Sequence, residues 1–235
     1  MAATLVGTLG TPVASNSAAT AYNITGVTVP SGATLLLVGA TWQAAGDPNS
    51  VVWDSAGVNE TLTMGPSATD GTVQTAMFYR LAPSATTGSI TLTWGTNRSA
   101  IGAACTIWTG TGSSSAANTF LDSDSLPSNG TPTLTLDFAM RGRGGVMVDY
   151  LGSAADPTIG ADQVSYHNGA PAGANLTNAD GSYQVAGSTA VMAWTLGTFF
   201  VHAAYSVLPE NPTPEALATI VTTPSMHTLL ASSQR

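Results

Sequence analysis

The chain has no lysine; its only basic side chains other than histidine are five arginines, and charged residues make up 8% of its 235 positions. A soluble domain ordinarily carries about 25%. With thirteen carboxylates the formal charge is −8, so there is no basic face to displace counterions from a nucleic acid or to adhere to an anionic membrane. Cys105 is the single cysteine, which excludes an intrachain disulfide. The three glutamates, Glu60, Glu210 and Glu215, are scattered, and the Glu-x-Asp-x-Glu pattern of jelly-roll glucanases is missing, so the paired carboxyl groups of a glycosidase are not expected. The three histidines, His167, His202 and His227, lack neighbours at metal-ligand spacing. There is neither a Gly-x-Ser-x-Gly elbow nor a phosphate loop. The expectation is a chain that is not an enzyme, with no catalytic residue, cofactor or metal centre. No apolar run reaches the ~18 residues of a membrane-spanning helix. The first residues, MAATLVGTLG, lack the basic region and long apolar core of a signal peptide, so the product is expected to be made in the cytoplasm and not secreted.

What fills the sequence instead is short-period alternation. In SITLTW (89–94), Ile90, Leu92 and Trp94 oppose Ser89, Thr91 and Thr93. The same period runs through TLTLDF (133–138), GVMVDY (145–150) and FFVHAAYSVL (199–208). Each reads as a half-buried strand. YNITGVTV (22–29) changes phase at Gly26, which predicts a bulge. Glycine, proline, serine and asparagine clusters separate the runs at short intervals, and no dozen-residue window before 215 has helical period. The predicted fold is all-β, a two-sheet antiparallel sandwich with an extended C-terminal arm. Two segments break the alternation: GATLLLVGATW (32–42) and IGAACTIW (101–108) are apolar on successive residues. A strand of that kind is covered on both faces. One face should meet the opposing sheet, the other a loop, the terminal arm or another subunit. Cys105 falls on the Ile101, Ala103 and Ile107 face and reads as core filling.

A faint duplication accompanies this pattern. TGVTVPSGATLLLVGATWQAAGDP (25–48) and LTLDFAMRGRGGVMVDYLGSAADP (134–157) share strand, turn, strand and a closing Asp-Pro, and AIGAACTIW (100–108) resembles FVHAAYSVL (200–208). The expected organisation is an N-terminal segment (1–20), a β-sandwich (21–208) with pseudo-repeats at about 21–110 and 131–208, and an interaction arm (209–235). The alternative is two immunoglobulin-like domains joined within 110–132. The arm is rich in proline yet carries Leu217, Ile220, Val221, Met226, Leu229 and Leu230, more apolar surface than an idle solvated tail should show; these six are the candidate partner-binding residues. Asp122 and Asp124 in a Ser/Asn-rich stretch are candidate calcium ligands, with solvated loop acids as the alternative. Trp53, Asp54 and Asn59 are candidates for sugar binding, with Trp53 as the stacking face and core packing of Trp53 as the alternative.

TVPSGATLLLVGATW (28–42), VVWD (51–54), MFYRLAPSATTGSITLTW (77–94), IGAACTIWTG (101–110) and FFVHAAYSVLPE (199–210) together resemble concanavalin-like jelly-roll modules of bacteriophage virion proteins, in capsid decoration and tails, and of bacterial structural proteins. The likeness covers most of 20–210. It implies a virion structural protein, a capsid-decoration or minor capsid protein that acts by protein–protein binding. Its partners would be other virion proteins, such as the major capsid or tail protein, and further copies of itself in a homo-oligomer. The alternative it implies is a carbohydrate-binding, lectin-like module or a receptor-binding tail or fibre module.

Overall fold

The structure, a computed structural model, describes residues 2–44, 46–129, 133–135, 145–185, 191–195 and 199–210. The strands are β1 (Thr4–Leu5), β2 (Thr8–Thr11), β3 (Val13–Ser15), β4 (Ala19–Val29), β5 (Leu35–Gln43), β6 (Ser50–Trp53), β7 (Glu60–Thr61), β8 (Thr63–Thr69), β9 (Val73–Leu81) and β10 (Thr86–Thr109). After a one-turn helix α1 (Ala116–Thr119) come β11 (Phe120–Asn129), β12 (Thr133–Thr135), β13 (Val146–Ser153), β14 (Thr158–Ile159), β15 (Val164–Gly169), β16 (Asn178–Val185), β17 (Val191–Thr195) and β18 (Phe199–Val207).

The protein is an all-β antiparallel sandwich, and its strands stack in four layers. β10 is shared by two of them. Its first part (86–93) lies between β4 and β6, and with β2 and β7 these form sheet I. Its last part (99–109) pairs with β5, β3 and β1, and β9 and β8 follow beyond β5 to complete sheet II. Sheet III runs β11-β18-β13-β16-β15 and sheet IV runs β12-β17-β14. The bulge expected at Gly26 is there: the β4–β10 register slips between Gly88 and Ile90, and Gly26 holds φ +71°, a conformation open to glycine at little cost.

The doubly apolar strands are explained by this stacking. On β5, Leu36, Val38 and Trp42 face sheet I and meet Ile24, Trp53, Leu92 and Trp94. Leu35 and Leu37 face the other way, onto Val146, Val148, Tyr150 and Tyr205 of sheet III. The cover expected from a loop, an arm or another subunit is therefore a third sheet from the same chain. Burial of each such side chain contributes roughly 1.5–3 kcal/mol, and β5 collects it on both faces. Strands β13 and β18 depart from the half-buried expectation in the same way. Their polar faces, with Asp149, His202 and Ser206, are as buried as their apolar ones, because sheet IV lies beyond them. The first twenty residues are no separate segment: β1 and β3 pair with β10, and β2 pairs with β4. The stretch 110–132, expected as a linker, holds α1 and all of β11, which forms the edge of sheet III; its Pro127 is tolerated there because an edge strand leaves one row of N–H groups free.

The two halves of the chain are wired alike. Sheet II has the order β10-β5-β9-β8 and sheet III the order β18-β13-β16-β15. Sheet I contains β4-β10-β6 and sheet IV is β12-β17-β14. Read along the chain, β4, β5, β6, β8, β9 and the two parts of β10 correspond one to one with β12, β13, β14, β15, β16, β17 and β18.

Candidate functional site

Two places gather chemistry. The first lies where β4, β10 and the turn after β6 meet at the surface. Asp54 follows Trp53 in a left-handed conformation (φ +46°), and its main chain is fixed by Asp54 N donating to Ser89 O at 2.8 Å, with Gly57 N and Asn59 N donating to Asp54 O. Its carboxylate Oδ2 accepts from Val58 N at 3.1 Å. Gly57 and Gly88 make room for it; a Cβ on Gly88 would stand 2.7 Å from Asp54 Oδ1. Asp54, Asn23, Ser55, Ser89 and Thr91 line an open pocket of about 500 Å³, with Ala56 and Gly88. Every polar side chain in it is neutral except Asp54.

The sequence candidates scatter around this pocket. Trp53 is fully buried and donates Nε1–H to Ser84 O at 3.2 Å, so it offers a sugar no face to stack on. Asn59 (φ +52°) closes the turn and is not part of the pocket wall. Asn23, Ser55, Ser89 and Thr91 were missed. Asn23, Ser89 and Thr91 lie outward on strands whose alternate residues are core, which is a legible signal, and Ser55 sits in the turn after β6; their convergence on Asp54 is a matter of sheet order.

The second place is the interior between sheets III and IV. Alternation puts Asp149 of β13, Ser182 of β16 and His202 of β18 on one face of sheet III, all fully buried. Asp149 Oδ1 accepts from Ser182 N at 2.9 Å and Ser182 Oγ at 2.6 Å. Its Oδ2 accepts from Trp194 Nε1 of β17 at 2.8 Å, and His202 Nε2 lies 2.8 Å from the same oxygen. A carboxylate is acceptor-only, so His202 donates from Nε2. Its Nδ1 is buried with no partner among the described residues. Gln163 ties the layers again: its Nε2 donates to Ser182 Oγ at 2.7 Å and its Oε1 accepts from Ala193 N at 2.9 Å. Asp180 on the same face is also buried; burial, then the carboxylates of Asp156 and Asp149, push its pKa up to about 7. On the opposite face of sheet III, Tyr150 O–H bonds His167 Nδ1 at 2.7 Å. Burial lowers the His167 pKa to about 4, so the ring is neutral near pH 7.

This second cluster was invisible at the level of sequence spacing, since the partners of Asp149 stand 33, 45 and 53 residues away. It is sealed from solvent, and Ser182 and His202 both bond the carboxylate rather than each other, so it has no activated nucleophile. Among the described residues, no three His, Cys, Asp or Glu side chains are grouped to hold a metal ion. Asp122 and Asp124 lie on β11, not on a loop. Asp124 is exposed and its Oδ1 accepts from Ser125 N at 2.7 Å. Cys105 is buried in the first core, its thiol donating to Leu9 O at 3.1 Å, and burial pushes its pKa up to about 12. The arm residues Leu217, Ile220, Val221, Met226, Leu229 and Leu230, with His227, lie outside the described residues. Comparison of the chain with protein-family models, with curated proteins and with solved structures finds no match.

Proposed function

We propose that the chain is a structural protein of a virus particle, a capsid-decoration or minor capsid protein that works by binding its neighbours. The observation that supports this most directly is the outer face of sheet I. There Thr8, Thr11, Asn23, Thr25 and Thr87 are exposed and Ser89 and Thr91 partly so, on strands whose other face is solid core. Such a face is backed by packed core, almost without charge, and opened at one place by the Asp54 pocket. Its hydroxyl and amide groups lose little on desolvation against another polar protein surface, and partners need not bring compensating ions. Binding to assembled neighbours then stabilises the particle by mass action. Antibody–gold labelling of virus particles propagated with the gene present tests the reading: label should decorate the particles. Arginines introduced at Thr25 and Thr91 should deplete the chain from particles without shifting its melting temperature. Unlabelled particles, with the chain left entirely in the soluble fraction, overturn it.

A second reading is favoured by the Asp54 pocket. Five hydrogen-bonding side chains around about 500 Å³, a volume within the range of small-molecule sites, suit a neutral polyhydroxyl ligand such as a sugar. Titration of the protein with a panel of neutral oligosaccharides should give saturable binding that Asn23→Ala or Thr91→Val weakens at least tenfold. Silence across the panel dismisses it.

A further inference from the structure

We propose that the chain is a fused twofold dimer, two copies of one sandwich joined end to end, and that the surface between sheets II and III recognises a second copy of that same sandwich. Three independent features carry this. First, seven strand segments of one half correspond to seven of the other in the same chain order and the same sheet order. Second, the packing is reciprocal. β18 lies on β8 and β9, while its counterpart, the last part of β10, lies on β15 and β16; the counterparts β5 and β13 cross each other. That exchange of partners, i with j and j with i, is the mark of an isologous interface. At the crossing, a Cβ on Gly39 of β5 would run into the Tyr150 ring, and a Cβ on Gly152 of β13 would run into Thr41. Each half thus gives up a side chain where the other projects one. Third, the ends of the corresponding last strands meet antiparallel: Gly112 N donates to Leu208 O at 3.2 Å and Glu210 N to Gly110 O at 2.6 Å, around the Thr111–Pro209 bridge. That bridge is the one ladder contact between the halves among the described residues; side-chain packing joins them elsewhere, with side-chain hydrogen bonds such as Ser125 Oγ to Ser67 O at 2.7 Å and Thr75 Oγ1 to Val201 O at 3.3 Å.

The partner this surface fits is therefore a copy of the sandwich, held here on the same chain at high effective concentration. The test uses the full chain with a protease site inserted between Ser114 and Ser115, both exposed. After cleavage, native mass spectrometry and gel filtration at micromolar concentration should find the two halves as a one-to-one complex. Gly39→Val and Gly152→Val should each weaken that complex by at least tenfold. If a valine variant does not fold, Leu37→Ala and Val148→Ala, which sit on the same buried interface from opposite sides, give the same comparison. Halves that part on cleavage of the unsubstituted chain overturn the proposal. So do glycine substitutions on both sides that fold and leave association untouched.

Discussion

Replacing Asp149 by asparagine changes one atom in the second core, and the geometry says how much that should cost. The carboxylate accepts from Ser182 N and Oγ on one oxygen and from Trp194 Nε1 and His202 Nε2 on the other. An amide keeps only one acceptor oxygen. Turned so that its NH2 faces Ser182, the hydroxyl can rotate to accept, but Ser182 N–H is left against an N–H. Turned the other way, His202 can accept only by moving its proton to the buried Nδ1, and Trp194 N–H has no alternative. Either orientation strands at least one buried donor, at about 1–3 kcal/mol, and converts charge-assisted bonds into ordinary ones, at roughly another 1–2 kcal/mol. The expected loss is about 3–4 kcal/mol, a large share of a typical stability of about 5–15 kcal/mol. Asp149→Ala removes every acceptor at once and should cost at least as much. The assay is urea unfolding followed by tryptophan fluorescence, with Asp70→Ala as the reference. That exposed aspartate also accepts two backbone bonds, from Thr72 N and Val73 N, and should cost about 1 kcal/mol. An Asp149→Asn protein within about 1 kcal/mol of the parent would refute the reasoning.

Asp180 and His167 should tilt stability in opposite directions with pH. The Asp180 value is raised to about 7, so its contribution is fully present below the unfolded carboxylate range and is lost as pH rises from about 4 through 7. The His167 value is lowered to about 4, so its contribution is present above the unfolded histidine range near 6.5 and is lost as pH falls toward 4. The two slopes oppose each other in the window from about 4 to 6.5. Asp180→Asn should therefore expose a loss of stability on acidification, and His167→Gln a loss on raising the pH, each read from urea midpoints at pH 4.5, 6 and 8; identical profiles for both variants and the parent would contradict the assignments. Cys105, with its thiol buried and its pKa pushed up to about 12, should react with Ellman's reagent only at the rate of opening of the first sandwich; prompt labelling of the native protein would show that core to be accessible. Glu60 is held below its usual value although burial pushes it up, because Ser84 N, Ser84 Oγ and Arg80 donate to it. Glu60→Gln should accordingly cost about 1 kcal/mol at pH 7, a cost that shrinks as pH falls through the lowered Glu60 value, as urea unfolding across that range would reveal.

The apolar half of the architecture could be read from the residues. Ile90, Leu92 and Trp94 alternate because sheet I has one wet face, and Leu35 to Val38 do not because sheet II has none. The duplication showed faintly in the matching Asp-Pro ends and is far plainer in the strand order, since topology survives exchanges of side chains that erase sequence likeness. The polar core was misread for a physical reason. Asp149, Ser182 and His202 alternate with apolar residues as a solvated face would, and a single strand does not tell whether water or another sheet lies beyond its polar side. Only the hydrogen bonds that converge on the carboxylate distinguish the two, and those come from three different strands.

The contrast between the two cores has a mechanical cause. Sheet I is held to sheet II by area: Ile24, Val27, Trp53, Ile90, Leu92 and Trp94 present a broad apolar face to Leu36, Val38, Trp42 and Ile107. Among the described residues sheet IV brings Met192, Trp194 and Ile159 to the contact, of which Trp194 and Ile159 pack with Leu151 and Phe200. Hydrophobic contact has no direction, so burial alone would leave the sheet free to slide. Trp194 Nε1 to Asp149, and Gln163 reaching both Ser182 and Ala193 N, supply the direction. A core in which Asp149, Ser182 and His202 are replaced together by valine, alanine and leucine should lose no more stability than Asp149→Ala alone, since two of the four stranded donors, Ser182 Oγ and His202 Nε2, leave with their acceptor while Ser182 N–H and Trp194 Nε1–H stay and Gln163 Nε2 loses Ser182 Oγ. It should also lose the fixed seat of sheet IV. Hydrogen exchange of the β17 amides, slow in the parent and fast in the triple variant at equal global stability, would separate those two roles; unchanged protection of β17 would mean that packing alone holds the sheet.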